Sequence, residues 1–394
     1  MNWFNSLTGV QKNLLVAILA MILFILSTSV SYSAFAVKPI ATPLLTGALP
    51  GPSGGQEDEQ GPKTESCPLN GTMHSSQARE AWDRRRPLSV MIENSVEARP
   101  QSGLSYADVV YEAVAEGGIT RFLALYYCNS LPDVQVGPVR SARTYFLDWV
   151  SEYDALYAHV GGANTPGPAN ALGQIIDYKI KDLNQFSISF PTFWRDSQRL
   201  KKKDGTPVAI EHTMYSTTHK LWDVAEKRGW SNPDSGGNRW TDKFTPWKFK
   251  NGQPNLGQVN KIDVRFWEGV GYASDYNVTW TYDGSCNCYK RKNGGIDQID
   301  LDNNQQLSAS NVVVQYMVES QANDGYENNV HLLYKNKGQG KAIIFQDGKA
   351  IVGSWVKKDR LAREKFLDES GKEIAFNRGV IWIQTVPEGS TVAY

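Results

Sequence analysis

The 394-residue sequence predicts an α+β protein: a mixed α/β N-terminal domain followed by a smaller β-rich C-terminal domain. Three observations carry that prediction. Up to residue 228, short β-branched runs alternate with segments of helical spacing, whereas residues 257–394 read as one strand after another. The length exceeds one typical domain. Hydrophobic content of 41% with many aromatics supports a packed core. Basic and acidic residues balance at 41 each, which argues against a nucleic-acid surface or an acidic tail.

The chain opens on an uninterrupted apolar run, Leu14 to Leu26, preceded by Lys12. Its semi-polar extension to Val37 reaches the length of about 20 residues that a bilayer-spanning helix needs. Ala34-Phe-Ala36 alternatively offers a small-residue cleavage site for a secretory signal. Residues 1–37 are therefore read as a transmembrane anchor or signal peptide. The protein is placed at the cell membrane, single-pass with extracytoplasmic domains, or secreted after cleavage. Residues 38–66, rich in Pro, Gly and Ser, make a flexible linker with too few apolar side chains for a core.

Four cysteines suit an oxidising compartment and allow three pairings. Cys67 with Cys128 is the preferred pair, stapling the start of the folded region to a strand. Cys286 and Cys288 are poorly spaced for a relaxed bridge on one strand and are read as thiols or a local bridge. One C-x-C without a second cluster does not make a metal site.

The N-terminal α/β domain is assigned to residues 67–228. Leu88–Ile92 is a short buried strand before a Pro100–Gly103 turn. Ala107–Ala115 is open between helix and strand. Gly117-Gly118 breaks it from a strand at Ile119–Cys128. Ser141–Tyr153 has helical spacing, with Phe146, Val150 and Tyr153 on one face and Ser141 as N-cap. Tyr157–Val160 is a strand ending in Gly161-Gly162. Helices follow near Pro168 and over Thr217–Arg228.

Residues 229–256 form a connector whose Trp230, Trp240 and Trp247 pack on one or both domains. In the C-terminal domain, residues 257–394, strands are predicted at Val259–Trp267, Val278–Tyr282, Asn311–Val318 and Ala342–Phe345. Asp347-Gly348 signals a two-residue hairpin, Gly371 marks another, and Val380–Val386 is a closing strand.

The array Glu112…Glu116-Gly-Gly-Ile-Thr-Arg121, Gly137-Pro-Val-Arg-Ser-Ala-Arg143 and His159-Val-Gly-Gly162 resembles the YerB-like bacterial lipoproteins. So do Phe193-Trp-Arg195, Glu211-His-Thr-Met-Tyr215 and Gly353-Ser-Trp355-Val-Lys357. The resemblance covers residues 85–390. It implies an envelope-tethered protein with paired N- and C-terminal domains and no assigned activity. Those lipoproteins carry a cysteine directly after the signal; this chain has none before Cys67, so a protein anchor or release takes the place of lipid attachment.

The same motifs hold the candidate site. Arg121, Arg140 and Arg143, with Thr120, Ser141 and Arg195, form the expected ligand-binding set. Guanidinium forks, hydroxyls and free backbone N–H groups at a helix start suit phosphate or carboxylate. The competing reading is a structural ion-pair network with Glu112, Glu116 or Asp148. Glu112 and Glu116 share one face whether their segment is helical or extended. Such a pair can cleave a glycosidic bond, although nearby arginines oppose an acid role. His159 and His212 complete the candidate catalytic set as bases or ligand-binding groups. Trp194, Trp240, Trp267, Trp355 and Trp382 either stack on sugars or fill the core.

The reading that follows is a membrane-tethered extracytoplasmic binding module for an anionic cell-envelope component such as cell-wall glycan. A glycan-cleaving enzyme using Glu116 and an envelope scaffold docking a protein partner are the alternatives. No metal, cofactor or nucleic acid is expected.

Overall fold

A ten-stranded mixed sheet runs through both halves of the chain. The structure is a computed structural model describing Thr8 and residues 61–394, except 203, 204, 256, 257, 269, 270, 328 and 329. The anchor reading, Thr8 apart, and the linker up to residue 60 lie outside the described residues. Among the described residues no helix is long and apolar enough to cross a membrane. Within the described part of the linker, Glu65–Ser66 pairs with Met73–His74 as a short strand.

The sheet takes β1 (Leu88–Glu93), β2 (Val109–Glu116), β3 (Ile119–Tyr126), β4 (Leu156–His159) and β5 (Lys181–Asn184) from the N-terminal half. From the C-terminal half come β6 (Asn311–Met317), β7 (Gly338–Gln346), β8 (Lys349–Lys357), β9 (Lys365–Asp368) and β10 (Ile381–Pro387). Their spatial order is β9-β8-β7-β6-β10-β2-β3-β1-β4-β5. The segment left open between helix and strand, Ala107–Ala115, is thus a strand.

The halves meet where β10 lies parallel to β2, with Gln384 opposite Glu112. The strand read as closing the sequence, β10, lies inside the sheet, and a short strand, Val392–Ala393, follows it and pairs with Lys261–Val264. Ile381 to Val386 are all buried, and a continuous buried run belongs in the middle of a sheet, between parallel neighbours. Where the turn chemistry is local, the sequence reading holds. Gln346 pairs with Lys349 across Asp347 and Gly348, both at positive φ, as a type I′ hairpin requires.

Four helices matter here: α1 (Ser76–Asp83), α2 (Thr144–Glu152), α3 (Ala171–Asp177) and α4 (Thr218–Lys227). α2 covers one face of the sheet, where Tyr111 stacks on Trp149 with ring centroids 4.8 Å apart. The opposite face is covered by a smaller antiparallel sheet containing Lys261–Val264, Val278–Asp283 and Cys288–Asn293. There Trp280 meets Trp382 edge-on at 5.4 Å.

The connector binds both halves: Trp240 lies 5.2 Å from Tyr127, and Trp247 lies 5.1 Å from Phe376. Trp240, Trp355 and Trp382 are fully buried, so packing, not sugar stacking, is their role. Cys67 bridges Cys128 as expected. Cys286 and Cys288 bridge as well. The objection from strand spacing does not apply, because Cys286 sits in the turn before its strand.

α2 begins three residues later than its periodicity suggests, with Arg143, not Ser141, at the N-cap. The preceding backbone is committed elsewhere. Arg140 N–H donates to the Met91 carbonyl and Ala142 N–H to the Gly161 carbonyl, both at 2.9 Å. Extended pairing on both sides holds residues 139–142 out of helical geometry.

Candidate functional site

Strand pairing sorts the charged residues onto two faces. Glu112 lies opposite Phe122, and Ala113 opposite Arg121. Side chains alternate along a strand, so Glu112, Thr120 and Phe122 face the smaller sheet while Arg121 faces α2. Even spacing alone would place Glu116 with Glu112. However, the register slips between Val114 and Glu116, leaving Ala115 as an extra residue. This bulge reverses the parity of the strand, and Glu116 emerges beside Arg121. The expected carboxylate pair is split across the sheet and cannot flank one glycosidic bond.

Glu112 is fully enclosed. It accepts hydrogen bonds from Arg291 Nη2 at 2.8 Å, Thr120 Oγ1 at 3.0 Å, and Trp382 Nε1 and Gln384 Nε2 at 3.1 Å. Arg291 is equally buried; its guanidinium also donates to Gln298 and lies 4.7 Å from the Trp382 ring. Burial pulls its pKa below the ordinary arginine value. Thr120 belongs to this same network, receiving Asn94 Nδ2 at 2.7 Å. Glu112 and Thr120 therefore join the two halves and are not open to a ligand.

On the α2 face the geometry is different. The Glu116 side chain keeps 32% of its surface exposed and pairs with Arg143 and, at 3.4 Å, with Arg121. Those two arginine side chains are only 8% and 5% exposed. Arg121 Nη1 also donates to the Ser141 carbonyl at 3.1 Å, and Arg143 Nη1 to the Ala142 carbonyl at 2.7 Å. Burial lowers both guanidinium pKa values. Arg143 Nε and the Tyr157 hydroxyl are buried and meet no hydrogen-bond partner among the described residues. Tyr157 lies in the field of both arginines.

Arg140 turns the other way. It pairs with Glu93 at 3.1 Å, and His212 Nδ1 lies 2.8 Å from the same carboxylate. His212 Nε2 is 3.4 Å from Glu97, which Lys202 also pairs. Arg121 and Glu93 are register partners on β3 and β1, so the two clusters adjoin. Within the continuous array three guanidiniums ion-pair directly with two carboxylates, Glu93 and Glu116, and Glu211 acts on Arg140 through its field.

The remaining expected residues lie apart. His159 is buried, with Nδ1 2.7 Å from the Gly161 carbonyl and Nε2 2.7 Å from Asp182. Both ring nitrogens are engaged within the fold and the side chain is sealed from solvent, so neither is presented to a substrate. Arg195 is exposed and donates to the Ile210 carbonyl. Ser141 is half-buried, and the N–H groups on either side of it are already bonded, so no backbone cradle forms there.

Sequence reasoning missed Glu93, Tyr157 and Arg291. Glu93 ends a strand beside Asn94 and carries no local mark of its ion pair. Arg291 does have a signal: it alternates with Tyr289 and Asn293, all buried, within Cys288–Asn293. Also missed is a second buried charge cluster, in which Glu152 pairs with Lys357 and Arg363 and accepts from Tyr111 at 3.1 Å.

Residues 73–231 match the family described as protein of unknown function (DUF3048), N-terminal domain, and residues 269–383 match its C-terminal domain. "Putative lipoprotein YerB" of Bacillus subtilis (strain 168) is 28% identical over 328 residues, spanning 83% of this chain and 87% of that protein. The crystal structure of the YerB protein from Bacillus subtilis matches with a TM-score of 0.67 at 26% identity, covering 84% of this chain and all of the other.

Proposed function

The chain belongs to the DUF3048 family, and from that premise we propose that it is an extracytoplasmic module, tethered to the membrane, that binds an anionic component of the cell envelope. The binding groups are Arg121 and Arg143, with Arg140 and His212 extending the surface. One observation carries this reading: two nearly buried guanidiniums converge on a single carboxylate, Glu116, that remains open to solvent. Charge-assisted contacts of this kind, here both made to one oxygen of Glu116, are the strong ones for carboxylate and phosphate oxygens. The excess of guanidiniums over directly paired carboxylates and the unpartnered Arg143 Nε and Tyr157 hydroxyl support an oxyanion as the guest. Glu116 acts as the internal group that such an oxyanion displaces. The apolar run at Leu14–Leu26 supports the tether, and the relative's description as a lipoprotein supports an envelope location.

The test is sedimentation of the full chain with purified cell wall, with Arg143→Ala and Arg140→Ala alongside. Binding that weakens with Arg143→Ala and with rising salt, in a protein whose melt is unchanged, supports the module. Soluble glycan fragments that cease to appear with Glu116→Gln would establish catalysis instead. Unfolding by either arginine variant without selective loss of binding would make the array structural.

A further inference from the structure

A cavity of about 440 Å³ opens between the end of α1 and one side of α4, lined by Arg84, Arg85, His219, Trp222, Glu226 and Trp230, among others. Its size falls in the range of about 300–1,000 Å³ typical of small-molecule sites. It shares no lining residue with the Arg121–Arg143 array, and its argument is independent of that reading.

Two neighbouring arginines show what is unusual about it. Arg86 is fully buried and is neutralised by Asp154 and Asp234. Arg85 has no carboxylate partner among the described residues. Its Nη2 donates to the Tyr127 and Ser130 carbonyls at 2.8 and 3.1 Å, while its Nε is buried without a partner. The guanidinium carbon lies over Trp222, 3.6 Å from the ring centroid. Burial lowers the Arg85 pKa to about 10, so it remains a cation at neutral pH. A half-buried cation whose direct contacts are carbonyls and an indole face, with Asp108 acting on it only through its field, can accept an anionic oxygen.

The rest of the lining supplies what a ring needs. Trp222 is covered by Arg85, whereas Trp230 is half-buried, with the Arg228 guanidinium 5.2 Å from its ring, and gives apolar surface for a pyranose. Exposed Asp223 and Glu226 offer acceptors to ring hydroxyls, and exposed Arg84 stands next to Arg85 as a second cation.

We infer that this cavity binds an acidic saccharide, its carboxylate on Arg84 and Arg85 and its ring against Trp230. Calorimetric titration of the full chain with D-glucuronate, and with D-glucose as the neutral twin, tests this. Glucuronate binds saturably, at least about tenfold more tightly than glucose, since a matched charge contact is worth about that much or more. Arg84→Gln and Trp230→Ala each weaken it about tenfold or more while leaving the thermal melt unchanged. Arg143→Ala leaves it unaltered. Equal affinity for the two sugars, absence of saturable glucuronate binding, or loss with Arg143→Ala and not with Arg84→Gln each overturns the inference. Arg85→Ala is not relied upon, because Arg85 also ties two backbone carbonyls and its loss can unfold the site.

Discussion

Replacing Glu112 with glutamine separates structural cement from catalytic carboxylate. Glu112 and Arg291 are both fully buried, and the carboxylate accepts four hydrogen bonds drawn from both halves of the chain. Glutamine keeps the shape but removes the charge. It leaves the Arg291 guanidinium enclosed by Phe122, Trp280 and Trp382 without a counter-ion. It also turns an amide N–H₂ toward groups that themselves donate. Removing one partner of a buried pair costs about 3–5 kcal/mol, a fifth or more of the roughly 5–15 kcal/mol that holds a typical protein folded. Urea unfolding followed by both tryptophan fluorescence and far-UV circular dichroism measures this, with coincident transitions and an unchanged m-value as the condition for comparison. The variant Arg291→Met on its own should cost a similar amount. The double variant Glu112→Gln/Arg291→Met should recover much of the loss, because deleting both charges leaves no buried charge unpaired. If Glu112→Gln lies within about 1 kcal/mol of the parent and the double variant is simply additive, the buried-pair argument fails.

Other outcomes follow from the same geometry. Glu116→Ala should tighten the binding of envelope anions by about three- to tenfold in a sedimentation or titration assay, since it removes a half-exposed competitor worth on the order of 1 kcal/mol; weaker binding would mean that Glu116 contacts the ligand. Opening the Cys67–Cys128 bridge with paired serines should cost about 4 kcal/mol in urea, because the bridge closes 61 residues of sequence separation. Burial pushes Glu364 up to about 8 from 4.5, so the folded state holds its proton more tightly than the unfolded chain does. This group therefore subtracts stability progressively as pH rises from about 4.5 to about 8. Glu364→Gln should flatten that part of the stability–pH profile, with its largest gain near pH 8 and almost none near pH 4.5.

Local chemistry in this chain can be read directly. Short continuous apolar runs mark β1 and β3, Asp347-Gly348 has the φ freedom a tight hairpin needs, and Thr217 caps α4 one residue before Thr218. Each depends on residues within a turn or two, so a linear reading reaches them. The candidate arginines are visible for the same reason: they crowd around glycine turns within thirty residues. What escapes is anything that depends on which strand lies alongside. A single extra residue, Ala115, reverses the face on which Glu116 emerges, and only the partner strand β3 defines it as extra. Arg291 finds Glu112 across 179 residues, and β10 enters the centre of a sheet begun by the other half of the chain. Pairing of distant strands is decided by the shared burial of whole faces. Composition and spacing could therefore name the charged groups of this protein, while the packing of its two halves into one sheet settled which of them are sealed and which remain open.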